Sequence, residues 1–218
     1  MMRNRTALTT LVTLLALGSP VPTGFAQEEK LYDPAPPPGA AFVRVINLTG
    51  TGDPAEVMIG ESMAGAVGEL DASPYHVVEE REAPIALGDA EATADVEPGR
   101  FFSVVARPAE DGIAITTLED TPNTDRTKAQ LALYNLTGEA DVDLVTSDGK
   151  VVVFEDVAPD SATYRTVNAV TVGLAIKVNG EVVATFDDVP LERGAAFGFL
   201  VAGTDQLEAE MVRAETRR

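Results

Sequence analysis

One short phrase occurs twice in the chain and limits what it can fold into. Ala41-Phe42-Val43-Arg44-Val45-Ile46-Asn47-Leu48-Thr49-Gly50 returns as Ala129-Gln130-Leu131-Ala132-Leu133-Tyr134-Asn135-Leu136-Thr137-Gly138. Aligned on the shared asparagine, Val43 and Val45 match Leu131 and Leu133, while the positions between them vary from Arg44 to Ala132. A period of two is that of a strand with one buried face. The Asn-Leu-Thr-Gly tail adds a residue that tolerates a left-handed backbone, a hydroxyl and a glycine, which suit a chain leaving a sheet. Two copies predict two similar modules.

The remaining segments agree. Residues 41–122 break into short β-type runs at Ala41–Leu48, Glu56–Gly60, Tyr75–Val78, Ile85–Leu87, Thr93–Val96, Arg100–Ala106 and Ile113–Leu118, punctuated by glycine and proline. Arg100–Ala106 is apolar on both faces, as a central strand is. In the second module, Ser147-Asp148-Gly149-Lys150 and Asn179-Gly180 each join two apolar runs, and both read as hairpins with primed turns. Thr163–Val167 and Leu207–Val212 read as further strands. Ala196–Ala202 follows Glu192-Arg193-Gly194 much as Arg100–Ala106 follows Glu97-Pro98-Gly99, which gives the repeat a second anchor. No stretch of a dozen residues keeps a helical period with caps. The expected fold is all-β: two tandem antiparallel β-sandwiches, residues 41–122 and 129–218, joined by the polar linker 123–128.

Ahead of them, residues 1–26 read as a cleaved signal peptide, with Arg3 and Arg5, an apolar run from Ala7 to Leu17, Pro20 and Pro22, and Gly24-Phe25-Ala26. The run is too short to span a bilayer, and no other segment could, so the expectation is export to the periplasm. Residues 27–40 are rich in proline and form an extended lead, a spacer or a strip that docks on a partner.

Composition narrows the chemistry. The chain has no cysteine and one histidine, which removes thiolate sites, disulfides and histidine clusters. Tryptophan is absent, which counts against a sugar site built on stacked indoles. Acidic residues outnumber basic ones 35 to 16, for a formal charge of -19. Nucleic acid is therefore excluded as a partner, and a cationic protein surface, divalent ions or a saline setting suit the chain better.

Catalytic candidates are few. No Gly-x-Ser-x-Gly elbow occurs, and Ser147-Asp148-Gly149 reads as a turn. His76 is the one candidate base, and a lone histidine at a strand start reads as an ordinary surface or hydrogen-bonded residue. Asp141 and Asp143 alternate with Val142 and Leu144 as the wet face of a strand, and no calcium loop is present. Neither a metal nor a cofactor is expected. Arg44 lies on the strand face expected to be exposed, where it could anchor a partner carboxylate or pair with an acid of the same chain. The terminal Arg213, Arg217 and Arg218 read as a frayed basic tail.

Leu31-Tyr32-Asp33-Pro34, then Gly39-Ala40-Ala41-Phe42-Val43-Arg44-Val45 and Asn47, closely resemble the mature start of the AlgF family of alginate biosynthesis proteins. The resemblance continues through Leu131-Ala132-Leu133-Tyr134-Asn135-Leu136, Thr146-Ser147-Asp148-Gly149-Lys150, Val170-Thr171-Val172 and Leu191-Glu192-Arg193-Gly194-Ala195-Ala196. Residues 53–95 depart from the pattern, as does the strong acidity. The resemblance implies a periplasmic accessory protein without catalytic activity, required for O-acetylation of alginate and working beside membrane-associated and periplasmic acetyltransferase proteins. Tyr32, Pro34 and Arg44 are the candidate partner contacts. A module that presents the polysaccharide, or an acetyl-transfer enzyme, are the alternatives.

Overall fold

The computed structural model describes residues 37–139, 141–204 and 206–217. The expected signal peptide, most of the proline-rich lead and its Tyr32 and Pro34 lie outside the described residues. The strands are β1 (Ala41–Asn47), β2 (Ala55–Ile59), β3 (Ser62–Val67), β4 (Asp71–Ala72), β5 (His76–Val78), β6 (Glu82–Leu87), β7 (Ala90–Asp95), β8 (Phe101–Ala109) and β9 (Gly112–Asp120) in the first half. The second half has β10 (Ala129–Thr137), β11 (Val142–Thr146), β12 (Val152–Phe154), β13 (Ser161–Val167), β14 (Thr171–Val178), β15 (Glu181–Pro190), β16 (Ala196–Gly203) and β17 (Glu208–Arg213). No helix appears among the described residues.

The strands form four sheets. In the first half, β3-β2-β6-β7 faces β4-β1-β8-β9, with β5 extending the β4 edge along β1. The core between them holds Val43, Val45, Val57, Ile59, Ile85, Phe102 and Val104. In the second half, β13-β10-β16-β17 faces β12-β11-β14-β15 around Leu131, Leu133, Leu144, Leu174, Ile176 and Phe199. The aliphatic positions shared by the two copies of the phrase thus fill equivalent places in two sandwiches.

Pairing between the named strands is antiparallel except at two corresponding places. The repeated strands β1 and β10 each run parallel to the second anchor of the repeat, β8 and β16, with Val43 opposite Phe102 and Leu131 opposite Phe197. Alternation alone does not encode this, because a buried face looks the same in either direction. A parallel neighbour instead needs a long crossover, and the intervening strands of the facing sheet supply it.

Asn47 and Asn135 end the repeated strands in the same way. Each Oδ1 accepts from the backbone N–H and the hydroxyl of the threonine two residues on, at 3.0 and 2.8 Å for Thr49 and 3.1 and 2.8 Å for Thr137. Both asparagines are 0% exposed, lie within their strands and lack a positive φ, so they act through side-chain hydrogen bonds and not through the left-handed backbone expected of them. At Asn179-Gly180 both residues do have positive φ, 52° and 81°, as a primed turn requires. Asp148-Gly149 differs: only Gly149 is positive, at 70°, and the loop closes through Gly149 N–H to the Thr146 carbonyl at 2.7 Å.

Both faces of β1 and β10 are buried, contrary to the one-faced reading. The reason is a third apolar layer between the two sandwiches. Ile46, Leu70 and Val105 from the first half pack on Ala132, Tyr134, Leu136, Leu200 and Val212 from the second. Polar ties reinforce it: Arg107 Nη2 donates to the Leu136 carbonyl at 3.2 Å and to Asp160 at 2.5 Å. The C-terminal segment is not frayed through Arg217. Tyr75 N–H donates to the Glu215 carbonyl and Arg217 N–H to the Tyr75 carbonyl, both at 2.8 Å, so the tail of the second half pairs with the first. All these strands fall in one compact unit.

Candidate functional site

Arg44 is 2% exposed and does not lie on an open strand face. Sheet alternation turns it away from the first core, and the second sandwich then covers it. Nε donates to Ser103 Oγ and Nη2 to the Tyr134 hydroxyl, each at 2.8 Å, and the guanidinium lies 4.7 Å from the Tyr75 ring centre. Burial of an arginine without a counter-charge would be prohibitive. Asp120, at the end of β9 and 5% exposed, supplies that charge.

The Asp120 carboxylate accepts four hydroxyl hydrogen bonds. Oδ2 takes those of Tyr75 at 2.7 Å and Ser103 at 2.6 Å, and Oδ1 takes those of Tyr134 and Tyr164 at 2.6 Å each. The two charges are therefore linked through Ser103 and Tyr134, each of which accepts from Arg44 and donates to Asp120. Tyr75, Ser103, Arg44 and Asp120 belong to the first half, and Tyr134 and Tyr164 to β10 and β13 of the second. Gly198 makes room for this arrangement. A Cβ there would stand 3.3 Å from the Tyr134 ring and 3.1 Å from Val212.

The electrostatics follow from the burial. Desolvation alone would lower the Arg44 pKa, but the oxygens of Tyr134 and Tyr75 and the Asp120 carboxylate outweigh it, holding the group above its ordinary value. Burial raises all three phenols. For Tyr75 and Tyr134 the Arg44 charge opposes the rise and the Asp120 charge adds to it, leaving Tyr134 pushed up to about 12. Tyr164 is raised by burial and then by the charge of Asp120. At neutral pH Arg44 therefore keeps its charge and the three phenols stay neutral.

Above it opens a cavity of about 470 Å³ between the two halves. Arg44, Tyr75, Asp120, Tyr134 and Tyr164 line its inner part. Asn123, Arg126, Gln130, Arg193 and Arg213 line the remainder together with Phe101 and Phe197. Asn123, from the segment read as a linker, donates to the Lys128 and Ala195 carbonyls at 3.2 and 3.1 Å. The sequence singles out Arg44, and Arg213 only as part of a frayed tail, while Asp120, Tyr134, Tyr164, Arg126 and Arg193 are not marked by it as site residues. One signal was present: tyrosine is scarce, with 4 in the chain, and three of them converge here.

The other candidates lie elsewhere. His76 is 8% exposed and its Nε2 has no hydrogen-bond partner among the described residues, so it is neither a surface nor a hydrogen-bonded histidine. Burial, then the nearby Arg217 charge, lowers its pKa from 6.5. It is not among the residues lining the cavity. Ser103 directs its proton to Asp120 and meets no imidazole, so a serine-histidine pair is not assembled there. Asp141 and Asp143 gather with Asp156, their carboxylate oxygens within 4.8 Å of one another at the surface. Burial and then the charges of Asp143 and Asp156 raise the Asp141 pKa. Among the described residues no helix is long and apolar enough to cross a membrane.

Comparison with known proteins places the chain. Residues 14–198 match the family model described as "Alginate O-acetyl transferase AlgF". The alginate biosynthesis protein AlgF of Pseudomonas aeruginosa is 29% identical over 203 residues, covering 93% of this chain and 91% of that protein. The Pseudomonas putida protein of the same name is 27% identical over 174 residues, covering 80% of this chain and 78% of that one. Among solved structures, the C-terminal domain of AlgF from P. aeruginosa aligns with 40% of this chain and 98% of its own, at 34% identity and a TM-score of 0.37. This chain belongs to the AlgF family of alginate biosynthesis proteins.

Proposed function

We propose that the protein is a periplasmic adaptor, without catalytic activity of its own, that serves O-acetylation of alginate by holding acetyltransferase partners together. One observation carries this reading. The buried polar cluster, Arg44-Ser103-Asp120 with three tyrosines, uses its hydrogen bonds on itself and on joining the two halves. Such a cluster fixes the relative placement of two sandwiches, which an adaptor needs, and its one carboxylate is already engaged by four hydroxyls beside the buried Arg44 charge, with no imidazole to relay a proton. The family description, which names an acetyl transferase, fits a component of an acetyl-transfer system. Two sandwiches, residues 41–122 and 129–218, then present separate faces to separate partners, with the proline-rich lead and its Tyr32 and Pro34 as a further contact.

The test combines genetics with co-purification. A strain lacking the gene is expected to make polymer without acetyl groups, and tagged wild-type protein to recover acetyltransferase proteins from its periplasm and membranes. Purified protein is expected to leave a chromogenic acetyl ester intact. Normally acetylated polymer from the deletion strain, or ester turnover above background, would remove the adaptor reading.

A further inference from the structure

The outer face of β3-β2-β6-β7 in the first sandwich carries an apolar row. Strand alternation sends Val57, Ile59, Ala83 and Ile85 into the core and leaves Met63 paired with Met58, Met58 with Ala86 and Ala86 with Glu91 on the other side. Neither methionine nor Ala86 belongs to the core, and Met63, at 67%, is the most exposed of the large hydrophobic residues among those described. Beside the row Pro84 stands opposite Thr93, and a recess of about 450 Å³ opens between Met58, Pro84, Ala86, Glu91 and Thr93.

The charge around this row has one sign. Glu56, Glu82, Glu91 and Asp95 are exposed on the same face, and its four strands hold no lysine or arginine. Between Val45 and Gly99 the one basic residue is Arg81. None of the four carboxylates enters a hydrogen bond or ion pair among the described residues. Glu82 and Asp95 stand directly opposite each other across β6 and β7, a like-charge pairing that costs stability and that a cation laid over it would relieve.

The duplicated sheet of the second half shows that the row belongs to the fold and its charge does not. There Val152 pairs with Val145, Val145 with Ala175 and Ala175 with Thr185, and the two rows follow equivalent bulges, at Val57/Met58 and at Leu144/Val145. Next to the second row Asp143 is opposite Lys177, an anion against a cation. The first face offers its acids no such neighbour, and it lies in residues 53–95, where the chain departs from the family pattern.

We infer that the outer face of β3-β2-β6-β7 receives a basic amphipathic helix of a protein partner. The apolar side of the helix covers Met63, Met58 and Ala86 with one side chain in the recess, and its basic residues meet Glu56, Glu91 and the Glu82–Asp95 pair. Methionine adapts its shape to such a surface, and a helix is a common cover for a sheet face. Charge disfavours the other occupants, since a second copy would set acid against acid and an anionic lipid or polyuronate would be repelled. The inference rests on the adaptor reading and names where one partner docks.

The test follows ¹³C-labelled methionine methyl signals. Without residues 1–26 the chain holds three methionines: Met58 and Met63 on this face, and Met211 on β17 of the second half as an internal control. Three probes are added separately at low salt: a capped helical peptide with leucines along one side and lysines along the other, a peptide of the same composition in scrambled order, and the first peptide with glutamate in place of lysine. The first is expected to shift Met58 and Met63 and to leave Met211 in place, with affinity falling at least about tenfold in the E56K/E91K variant and in Met63→Gln. The other two peptides are expected to leave all three signals in place. No shift of Met58 and Met63 with the first peptide, an equal shift of Met211, an equal shift with either control peptide, or unchanged affinity in either variant would each overturn the inference. The substituted residues are exposed, so both variants should melt with the wild type, and in cells E56K/E91K should lower polymer acetylation toward the level of the deletion. A deletion that abolishes acetylation, joined with a folded variant that fully restores it, defeats the docking face while leaving the adaptor standing. A deletion with normal acetylation defeats the adaptor, and the peptide titration still decides the face.

Discussion

The Tyr134 hydroxyl donates to Asp120 Oδ1 at 2.6 Å, tying a strand of the second sandwich to the last strand of the first, and accepts from Arg44 Nη2 at 2.8 Å. Removing the acceptor therefore affects both halves. Asp120→Ala leaves Arg44 as a buried charge without its counter-charge and deprives four hydroxyls of their acceptor, so a loss of about 3–5 kcal/mol is expected. Denaturant unfolding measures it, and a midpoint equal to wild type would contradict the role given to the carboxylate.

Gly198 tests the same contact by volume. Its missing Cβ gives the Tyr134 ring space, and the ring cannot yield because its hydroxyl is held at both Arg44 and Asp120. Gly198→Ala is expected to cost about 1–3 kcal/mol by overpacking. A neutral or stabilising result would show that the interface can shift.

Alkaline titration reads the tyrosines directly. Burial raises the phenol pKa of Tyr75, Tyr134 and Tyr164, so these neutral forms favour the folded state. Their contribution is complete below the ordinary value of 10.0 and is lost as pH rises above it toward the folded-state values. Absorbance of tyrosinate should show three of the 4 tyrosines ionising late, together with unfolding. Ordinary titration of all four would contradict the buried network.

His76 governs the other side of neutrality. Its folded-state pKa lies below 6.5, so protonation favours the unfolded chain. Stability from this residue is full above 6.5, declines as pH falls below it, and stops changing once the folded-state value is passed. A His76→Met variant should therefore lose less stability than wild type on acidification through that window, as followed by melting temperature. Parallel curves would exclude the effect.

The repeated asparagines offer an internal comparison. Asn47 Nδ2 donates to one carbonyl, that of Val67 at 3.0 Å, while Asn135 Nδ2 donates to two, those of Glu139 and Val157, at 2.7 Å each. Each alanine replacement is expected to cost about 1–3 kcal/mol through unsatisfied buried groups, with Asn135→Ala the larger. The opposite order would contradict this accounting.

The strands were legible because alternation is local: Val43 and Val45, like Leu131 and Leu133, announce their core without any distant partner. The second buried face was also written, in Phe42, Ile46, Tyr134 and Leu136, but an apolar residue on a second face does not say what covers it. Strand β3 escaped notice because Ser62-Met63-Ala64-Gly65-Ala66-Val67 has little β-branched character and is held by pairing with β2. Arg44 was placed on the correct side of its strand and in the wrong environment. Its partners Ser103, Asp120, Tyr134 and Tyr164 lie 59 or more residues away: pairing within the first sheet brings up Ser103 and Asp120, and the docking of two sandwiches adds Tyr134 and Tyr164. Arg126 and Arg193 were illegible for the same reason, and Arg213 reads in sequence only as part of a basic tail with Arg217 and Arg218.

The most direct measurement of the central claim is the acetyl content of alginate made by a deletion strain complemented with wild-type or Ser103→Ala protein. No acetyl groups are expected without complementation, and full restoration is expected with both, since the Ser103 hydroxyl bridges Arg44 and Asp120 and attacks nothing. Acetylated polymer from the uncomplemented strain, or a folded Ser103→Ala protein that restores none, would contradict it.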